Sequence, residues 1–197
     1  MSARPSPGRP ELRLAPLQTP LAELSVGGYC PPHLHRPRPA AVLIGIDEQP
    51  PHGVWLTLRA SHLRQHAGQV AFPGGRREQH DDSPVATALR EAFEETGIAP
   101  EQVRPAGFLD RYDTITGFRI TPVVGWVHAD RRPRPDGREV AEVFSVPLAE
   151  IADPECYRRE QVRHAGQTFE ILTLAHAEHH IWGATAALLY ELGQRVG

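Results

Sequence analysis

Three glutamates stand close together in the sequence: Glu94 and Glu95 follow Glu91 by three and four residues. On a helix these spacings place all three carboxylates on one face. Glu91 and Glu95 are then like charges one turn apart, which destabilises an isolated helix by about 0.2–0.5 kcal/mol. Glu94 and Glu95 also fall in the last helical turn, where the helix dipole favours cations. Because a divalent cation would reverse both penalties, the pattern indicates a metal site; a solvated acidic face is the alternative.

A glycine pair, Gly74 and Gly75, precedes these carboxylates and supplies a second part of the predicted site. Glycine permits sharp turns and close backbone approach, so a carbonyl of this pair can come near the glutamates. Arg90 stands four residues before Glu94 and can pair with it. Carboxylate and carbonyl oxygens, completed by water and phosphate oxygens, suit Mg²⁺ or Mn²⁺. We therefore predict a Mg²⁺ or Mn²⁺ site formed by the glutamates and a backbone carbonyl of Gly74 or Gly75.

The glutamates belong to a predicted helix with start and stop signals at both ends. Ser83 is a suitable N-cap and Pro84 fits the first helical position. Gly97 is placed to end the helix. At about 100° per residue the helix has two distinct faces. The face predicted to pack on the core holds Val85, Leu89, Ala92, Phe93 and Thr96. The opposite, charged face holds Thr87, Arg90, Glu91, Glu94 and Glu95.

The rest of the chain mixes predicted strands with few helices, and the two do not alternate regularly. Apolar or alternating runs bounded by turn residues predict strands at 41–46, 54–58, 69–72, 106–109, 119–127, 142–146 and 168–174. Helices are predicted at 147–151 and 181–195. Pro122 interrupts one strand, which should therefore be an edge strand or contain a bulge. We expect an α+β fold, an α/β/α sandwich around a mixed β-sheet.

Composition narrows the class of protein. The 197 residues suffice for one domain, and a net charge of −3 with scattered basic residues gives no electrostatic footprint for nucleic acid. No apolar run approaches the roughly 18–20 residues of a membrane span, and the N-terminus lacks a signal-peptide core. Two distant cysteines, Cys30 and Cys156, indicate a reducing compartment. We expect a soluble cytoplasmic protein that binds neither nucleic acid nor membrane.

The N-terminal segment, residues 1–39, carries nine of the 20 prolines and is predicted to form an extended arm. The globular domain is expected to cover 40–197. Leu17, Leu21 and Leu24 could share one face of a short helix within 14–24. The arm then either packs on the domain or serves as a lid or dimer element, which keeps a homodimer open as an alternative.

The sequence from Arg90 to Ile98, Arg-Glu-Ala-Phe-Glu-Glu-Thr-Gly-Ile, resembles the box of the Nudix hydrolase superfamily when it is read with the preceding glycines. That box also has an acidic residue six positions after its glycine and eight before its arginine. Here the spacer is one residue longer. Asp81 keeps the spacing of six from Gly75, and Asp82 keeps the spacing of eight from Arg90. The sequence therefore leaves open which carboxylate fills this position.

Three further stretches, residues 58–75, 116–125 and 181–186, resemble the coenzyme A pyrophosphatase branch of the same superfamily. The resemblance covers the chain from residue 40 to the C-terminus. It implies metal-dependent hydrolysis of coenzyme A, or its thioesters, to 3′,5′-ADP and 4′-phosphopantetheine. NADH, ADP-ribose or another nucleoside diphosphate derivative is the first alternative substrate. A Nudix-fold binding module is the second alternative, although such a module would be expected to lose the carboxylates.

The resemblance also implies roles for individual residues of the box. Glu91 and Glu95 would be the principal metal ligands, with a glycine carbonyl helping. Arg90 would orient the carboxylates. Glu94 would be a third ligand or the general base.

Residues outside the box complete the predicted site. Glu139 and Glu142 lie in a region that supplies the base in some Nudix enzymes, and either could instead be an ordinary surface residue. The candidate phosphate contacts, which could also be surface side chains, are Arg59, Arg64, His66, Gln69 and Arg76. A zinc role is suggested by spacing for His176, His179 and His180, but 11 histidines in the chain make such a cluster unsurprising.

Overall fold

The computed structural model describes residues 9–31, 36–128, 132–164 and 166–197. Helix α1 spans Pro84–Thr96, and both predicted ends are confirmed. The Ser83 hydroxyl accepts a hydrogen bond from the Ala86 N–H at 3.1 Å. Gly97 adopts the left-handed conformation, with φ 70°, and ends the helix. These signals are local because caps satisfy backbone groups that the helix itself leaves unpaired.

Within the described residues, nine strands form one mixed β-sheet. They are β1 (Val26–Gly28), β2 (Arg38–Asp47), β3 (Gly53–Arg59), β4 (Val70–Ala71), β5 (Gly74–Arg76), β6 (Val103–Phe108), β7 (Arg111–Asp113), β8 (Phe118–Val127) and β9 (Val140–Pro147). The order is β1-β7-β8-β2-β3-β4, while β6 also pairs with β8, β5 with β2, and β9 with β3. Strand β2 runs parallel to β8 and antiparallel to β3 and β5.

A smaller antiparallel sheet follows, made of β10 (Tyr157–His164), β11 (Gln167–Leu174) and β12 (Ile181–Trp182). The prediction missed β10, whose sequence is mostly charged and polar. Its backbone pairs with β11 along its whole length, so the hairpin forms without an apolar pattern. Two helices complete the fold, α2 (Leu148–Ala152) and α3 (Gly183–Arg195). The last helix begins two residues later than predicted because Ile181 and Trp182 pair with β11.

The main sheet separates two hydrophobic cores, which confirms the predicted α/β/α sandwich. Ala41 and Leu43 of β2 pack in one core with Ala88 and Ala92 of α1. Alternate residues of a strand point to opposite faces. The β2 residues on the other face accordingly join a second core, which contains Ile44, Ile46, Ile151 of α2, and Leu188, Leu189 and Leu192 of α3.

Pro122 does not mark an edge strand, so that alternative is wrong; the β6–β8 pairing does contain a register shift, which lies between Pro105 and Gly107 of β6. Strand β8 lies inside the sheet, with β2 on one side and β6 and β7 on the other. Pro122 stands where this second side changes partner, between the β6 pair at Val123 and the β7 pair at Ile120. Its carbonyl accepts from the Leu109 N–H at 3.3 Å. A residue without an N–H is tolerated there because the partner strand changes at that position.

The segment before β2 packs along the sheet and contributes strand β1 to it. Strand β1 pairs in parallel with β7, Ala15 bridges to Phe108, and Leu24 is buried. The helix predicted within 14–24 is wrong, since the segment contains only a short 3₁₀ turn at Leu21–Glu23. Pro16 and Pro20 explain this, because proline inside a helix removes a backbone donor and clashes with the preceding turn. No helix in the described part of the chain is long and apolar enough to cross a membrane.

Candidate active site

Helix α1 presents a different face to the body than its apolar pattern predicts. Phe93, predicted to pack on the core, is 54% exposed. Glu95, predicted to lie on the exposed charged face, is only 6% exposed, and Thr87 of that face is fully buried. The reason is that α1 packs against both β2 and β5. Strand β5 lies on the carboxylate side of the helix, where its glycines leave room for the buried glutamate.

The glycine pair lies in strand β5, so Gly74 and Gly75 are part of the sheet and not of a free loop. Gly74 pairs with Val42 and Gly75 with Ala41. A Cβ on Gly74 would come within 2.5 Å of the Ala41 carbonyl oxygen, and one on Gly75 within 2.5 Å of a Glu91 carboxylate oxygen. At Gly74 the clash is with backbone, so only glycine fits against β2, whereas at Gly75 the added atom would meet the end of the Glu91 side chain.

Glu95 is a buried carboxylate at the centre of the site. Its Oε2 accepts a hydrogen bond from the Gly74 N–H at 3.0 Å. Burial is the main cause that raises the pKa of Glu95 to about 8, and the negative charge of Glu91 raises it further. Burial also raises the pKa of Glu91, against the opposing charge of Arg90. Two carboxylates thus share a poorly solvated space, which favours either protonation or a bound cation.

Arg90 holds the carboxylates of the site in place. Its Nε and Nη2 atoms donate to the two oxygens of Asp81, each at 3.0 Å. Its Nη1 atom lies 3.0 Å from Glu91 Oε1 and 3.2 Å from Glu94 Oε2. Its Nη2 atom also donates to the Arg76 carbonyl at 3.2 Å, which ties β5 to the helix. The fork geometry of the guanidinium allows one side chain to make all these contacts.

Of the two aspartates in the longer spacer, Asp81 is the one that contacts Arg90. It is buried, and its Oδ2 accepts from the Glu78 N–H at 2.8 Å and from the Thr87 hydroxyl at 3.0 Å. The hydrogen bond from Arg90 is the main cause that holds the pKa of the Asp81 carboxyl well below its usual range. Asp82 is exposed, and its backbone carbonyl accepts from Arg77. The spacing of six from Gly75 was therefore the informative signal.

Arg59 and Glu139 extend the site beyond the carboxylates of α1. Arg59 Nη1 lies 3.9 Å from Glu95 Oε1, and Arg59 Nη2 lies 3.6 Å from Glu139 Oε2. The charge of Glu139 is also among the influences that raise the pKa of Glu95, after burial and the charge of Glu91. The structure thus brings both predicted residues to the carboxylates, although they are far apart in sequence.

Glu142 pairs with a histidine, and Glu94 pairs with Arg90 at the protein surface. Glu142 Oε1 lies 3.4 Å from His179 Nε2, and the His179 ring stacks on Phe144 with centroids 3.8 Å apart. The His176 and His179 rings are also stacked, 17° from parallel, so their faces and not their nitrogens meet. Glu94 is exposed and paired with Arg90.

The remaining predicted substrate contacts are mostly exposed. Gln69 Oε1 lies 2.8 Å from His66 Nδ1. The Arg59 N–H donates to the Gln69 carbonyl at 3.0 Å, which closes the loop that carries His66. Arg64 is exposed in the same loop, and the Arg76 side chain is exposed at the end of β5. Of the predicted contacts, only Arg59 meets the carboxylates in this arrangement.

The residues present suit a divalent cation. Glu91 and Glu95 are hard oxygen donors whose mutual repulsion a cation would relieve. Gly75 keeps open the space beside Glu91 that a Cβ would fill. Across residues 9–31, 36–128, 132–164 and 166–197, no three His, Cys, Asp or Glu side chains converge closely enough to hold a metal ion. Glu91 and Glu94 both contact the Arg90 guanidinium.

Substitution of Gly75 by alanine is expected to lower turnover by about 10-fold to 100-fold with little loss of stability. The new methyl group would meet the carboxylate end of Glu91, which is flexible and can move away, so the fold tolerates the change. Steady-state kinetics and thermal unfolding of G75A measure both effects. G27A is the matched control, since its Cβ would meet atoms no closer than 3.8 Å. Equal turnover in G75A and G27A would show that this approach has no role.

The chain is similar to several known proteins. The sequence profile described as NUDIX domain matches residues 35–165. The Nudix hydrolase NudL of Pectobacterium atrosepticum is 41% identical over 169 residues, which cover 84% of this chain and 88% of that protein. The NudL protein of Escherichia coli is 41% identical over 160 residues, or 81% and 83% of the two chains. The crystal structure of RenU, a Nudix hydrolase from M. smegmatis, is similar at a TM-score of 0.48 and 29% identity, over 59% of this chain and 74% of that one.

Proposed function

The chain belongs to the NUDIX domain family, and we propose that it hydrolyses the diphosphate bond of coenzyme A or its thioesters. Its general activity is that of a Nudix hydrolase on a nucleoside diphosphate derivative. Hydrolysis adds one water across the P–O–P linkage and yields 3′,5′-ADP and 4′-phosphopantetheine. The observation that carries the proposal is the pair of poorly solvated carboxylates, Glu91 and Glu95, beneath the backbone of β5.

The box residues have distinct roles in this proposal. Glu91 and Glu95, with the Gly75 carbonyl, would hold the metal, and Glu94 is the candidate for a third carboxylate ligand. A bound Mg²⁺ or Mn²⁺ would neutralise charge on the diphosphate and lower the pKa of a bound water. Arg90 holds the carboxylate side chains in position, and Asp81 holds Arg90.

Glu139 is the better candidate for the general base. It is exposed beside the buried carboxylates, and Arg59 lies between it and Glu95. A water that attacks a diphosphate bound over Glu95 would therefore be close to Glu139. Glu142 faces His179 instead. These contacts favour Glu139 as the group that accepts the proton of the attacking water.

The preference for coenzyme A rests on the segment that resembles the pyrophosphatase signature, residues 58–75. This segment runs from Arg59, next to Glu95, through the loop that carries Arg64 and His66, and returns through β4 and β5 to the carboxylates. The two ends of the segment lie at Glu95, through Arg59 and the Gly74 N–H, which supports a role for the segment in substrate selection. Arginine and histidine side chains in that loop can bind phosphate groups of the substrate.

The test is a substrate comparison with purified protein. We expect coenzyme A or an acyl-coenzyme A to be hydrolysed faster than NADH or ADP-ribose in the presence of Mg²⁺ or Mn²⁺. Mass spectrometry should identify 3′,5′-ADP and 4′-phosphopantetheine, and a chelator should stop the reaction. A preference for ADP-ribose or NADH would retain the diphosphatase and reject coenzyme A. Nucleotide binding without any turnover would favour the binding module.

A further inference from the structure

The loop that leads into β9 contains an aspartate whose carboxylate binds three consecutive backbone N–H groups. Asp136 Oδ1 accepts from the N–H groups of Arg138 and Glu139, each at 3.1 Å, and of Val140 at 2.8 Å. Asp136 Oδ2 adds a longer contact to the Glu139 N–H at 3.3 Å. An aspartate before a glycine is a common turn signal. Here the Asp136 side chain fixes the backbone conformation at Glu139.

The same loop is fastened to the C-terminal end of α1. The Asp136 N–H donates to the Glu95 carbonyl at 3.1 Å, and the Arg134 N–H donates to the Thr96 carbonyl at 2.9 Å. These are two of the carbonyls that a helix leaves without partners at its last turn. Asp136 therefore binds the backbone of Glu95 through its own N–H and the backbone of Glu139 through its carboxylate.

Glu139 is held from a second side as well. Its carbonyl accepts from the Ala60 N–H at 2.8 Å, which joins the loop to the end of β3. Its carboxylate lies 3.6 Å from Arg59, whose other terminal nitrogen lies near Glu95. The Glu139 side chain itself remains 59% exposed. The backbone is thus tightly held while the carboxylate remains accessible to water.

We propose that Asp136 is a positioning residue that sets the Glu139 carboxylate over the carboxylates of α1. The inference rests on the proposed function, in which Glu139 accepts a proton from the attacking water. Asp136 touches neither substrate nor metal in this proposal. It acts by fixing the distance between two glutamates that lie on different elements and that no direct bond connects.

The experiment is a cycle of variants, assayed on the best diphosphate substrate with Mg²⁺. D136A is expected to lower kcat by about 10-fold to 100-fold, because small displacements of a reacting group cost rates of this size, with KM changed less than about twofold. D136N should retain most of the rate, since an amide oxygen can replace Oδ1 as the acceptor. In the E139Q background, D136A should cost less than about twofold, since there is no base left to position.

The pH dependence of kcat supplies a readout that a purely structural role would not change. The acid limb, which reports ionisation of the base, should weaken in D136A and persist in D136N. D153A is the matched control, because Asp153 also accepts a backbone N–H, that of Glu155, in a turn outside the site. Full kcat in D136A, or an equal loss in the presence and absence of E139Q, would overturn the inference alone. An inactive wild-type protein would reject the proposed function together with it.

Discussion

Replacement of Glu95 by glutamine is expected to lower turnover by at least about 100-fold while it stabilises the metal-free protein at alkaline pH. Glutamine is nearly isosteric and can still accept the hydrogen bond from the Gly74 N–H. It cannot supply the negative charge that a divalent cation requires. The loss of activity and the gain in stability then have one cause, the removal of a buried charge.

The stability effect of Glu95 depends on pH in a defined direction. Burial, assisted by the charge of Glu91, raises its pKa from 4.5 to about 8 in the folded protein. Between these values the folded protein binds a proton that the unfolded chain has released, so stability decreases as the pH rises. Above pH 8 the full penalty applies, on the order of 3–5 kcal/mol. Chemical denaturation of metal-free wild type and E95Q at pH 5 and pH 8.5 should show a much larger difference at the higher pH.

Metal addition and a control variant complete this test. Mg²⁺ or Mn²⁺ should raise the melting temperature of the wild type at pH 8.5 and leave that of E95Q nearly unchanged. E101Q serves as the control, since Glu101 is an exposed glutamate outside the site. Wild-type turnover in E95Q would show that the ligand assignment is wrong. Equal denaturation of both proteins at pH 8.5 would contradict the buried-charge argument.

Replacement of Asp81 by asparagine is expected to destabilise the protein by about 2–3 kcal/mol, because charge-assisted hydrogen bonds of a buried carboxylate are lost. Both Asp81 oxygens accept hydrogen bonds from Arg90, and Oδ2 also accepts from Glu78 and Thr87. An amide nitrogen at either position would face a donor. Turnover should also fall by about 10-fold or more, since Arg90 positions the neighbouring glutamates.

Asp82→Asn is the matched control for this substitution. It changes the neighbouring aspartate, which is exposed. Equilibrium unfolding and kinetics of D81N and D82N should differ strongly, and a larger loss in D82N than in D81N would show that the spacing of eight from Arg90 was the functional one. Acid unfolding provides a second comparison. The pKa of Asp81 is lowered on folding, so its contribution is present above the unfolded pKa of about 3.9 and is lost as the pH falls below it. D81N should lose this acid dependence.

Local sequence signals were sufficient to predict the helix and to identify its carboxylates. Ser83, Pro84 and Gly97 define α1 because each acts on backbone groups within a few residues. The unfavourable placement of Glu91 and Glu95 correctly indicated an unusual environment, since both pKa values are raised by burial. Apolar and alternating runs likewise located most strands, because successive residues of a strand point to opposite faces of the sheet.

Helical periodicity failed where packing came from distant parts of the chain. The pattern placed Phe93 inside and Glu95 outside, and the structure has the reverse. A hydrophobic stripe predicts the buried face only when the partner surface is apolar side chains. Here part of the partner is the glycine backbone of β5, which accepts a carboxylate because it has an N–H to donate and no side chains to exclude it.

The sequence by itself predicted the residues that are proposed to carry the chemistry: the glutamates of α1, Arg90, and the glycine pair. Only the tertiary structure decided how the remaining polar residues divide between the site and its surroundings. It selected Asp81 over Asp82 and brought Glu139 to the carboxylates, while Glu142 faces His179. The physical reason is that these choices depend on hydrogen bonds and charge contacts between β5, the loop before β9 and the end of β3. Those elements meet only when the sheet has formed.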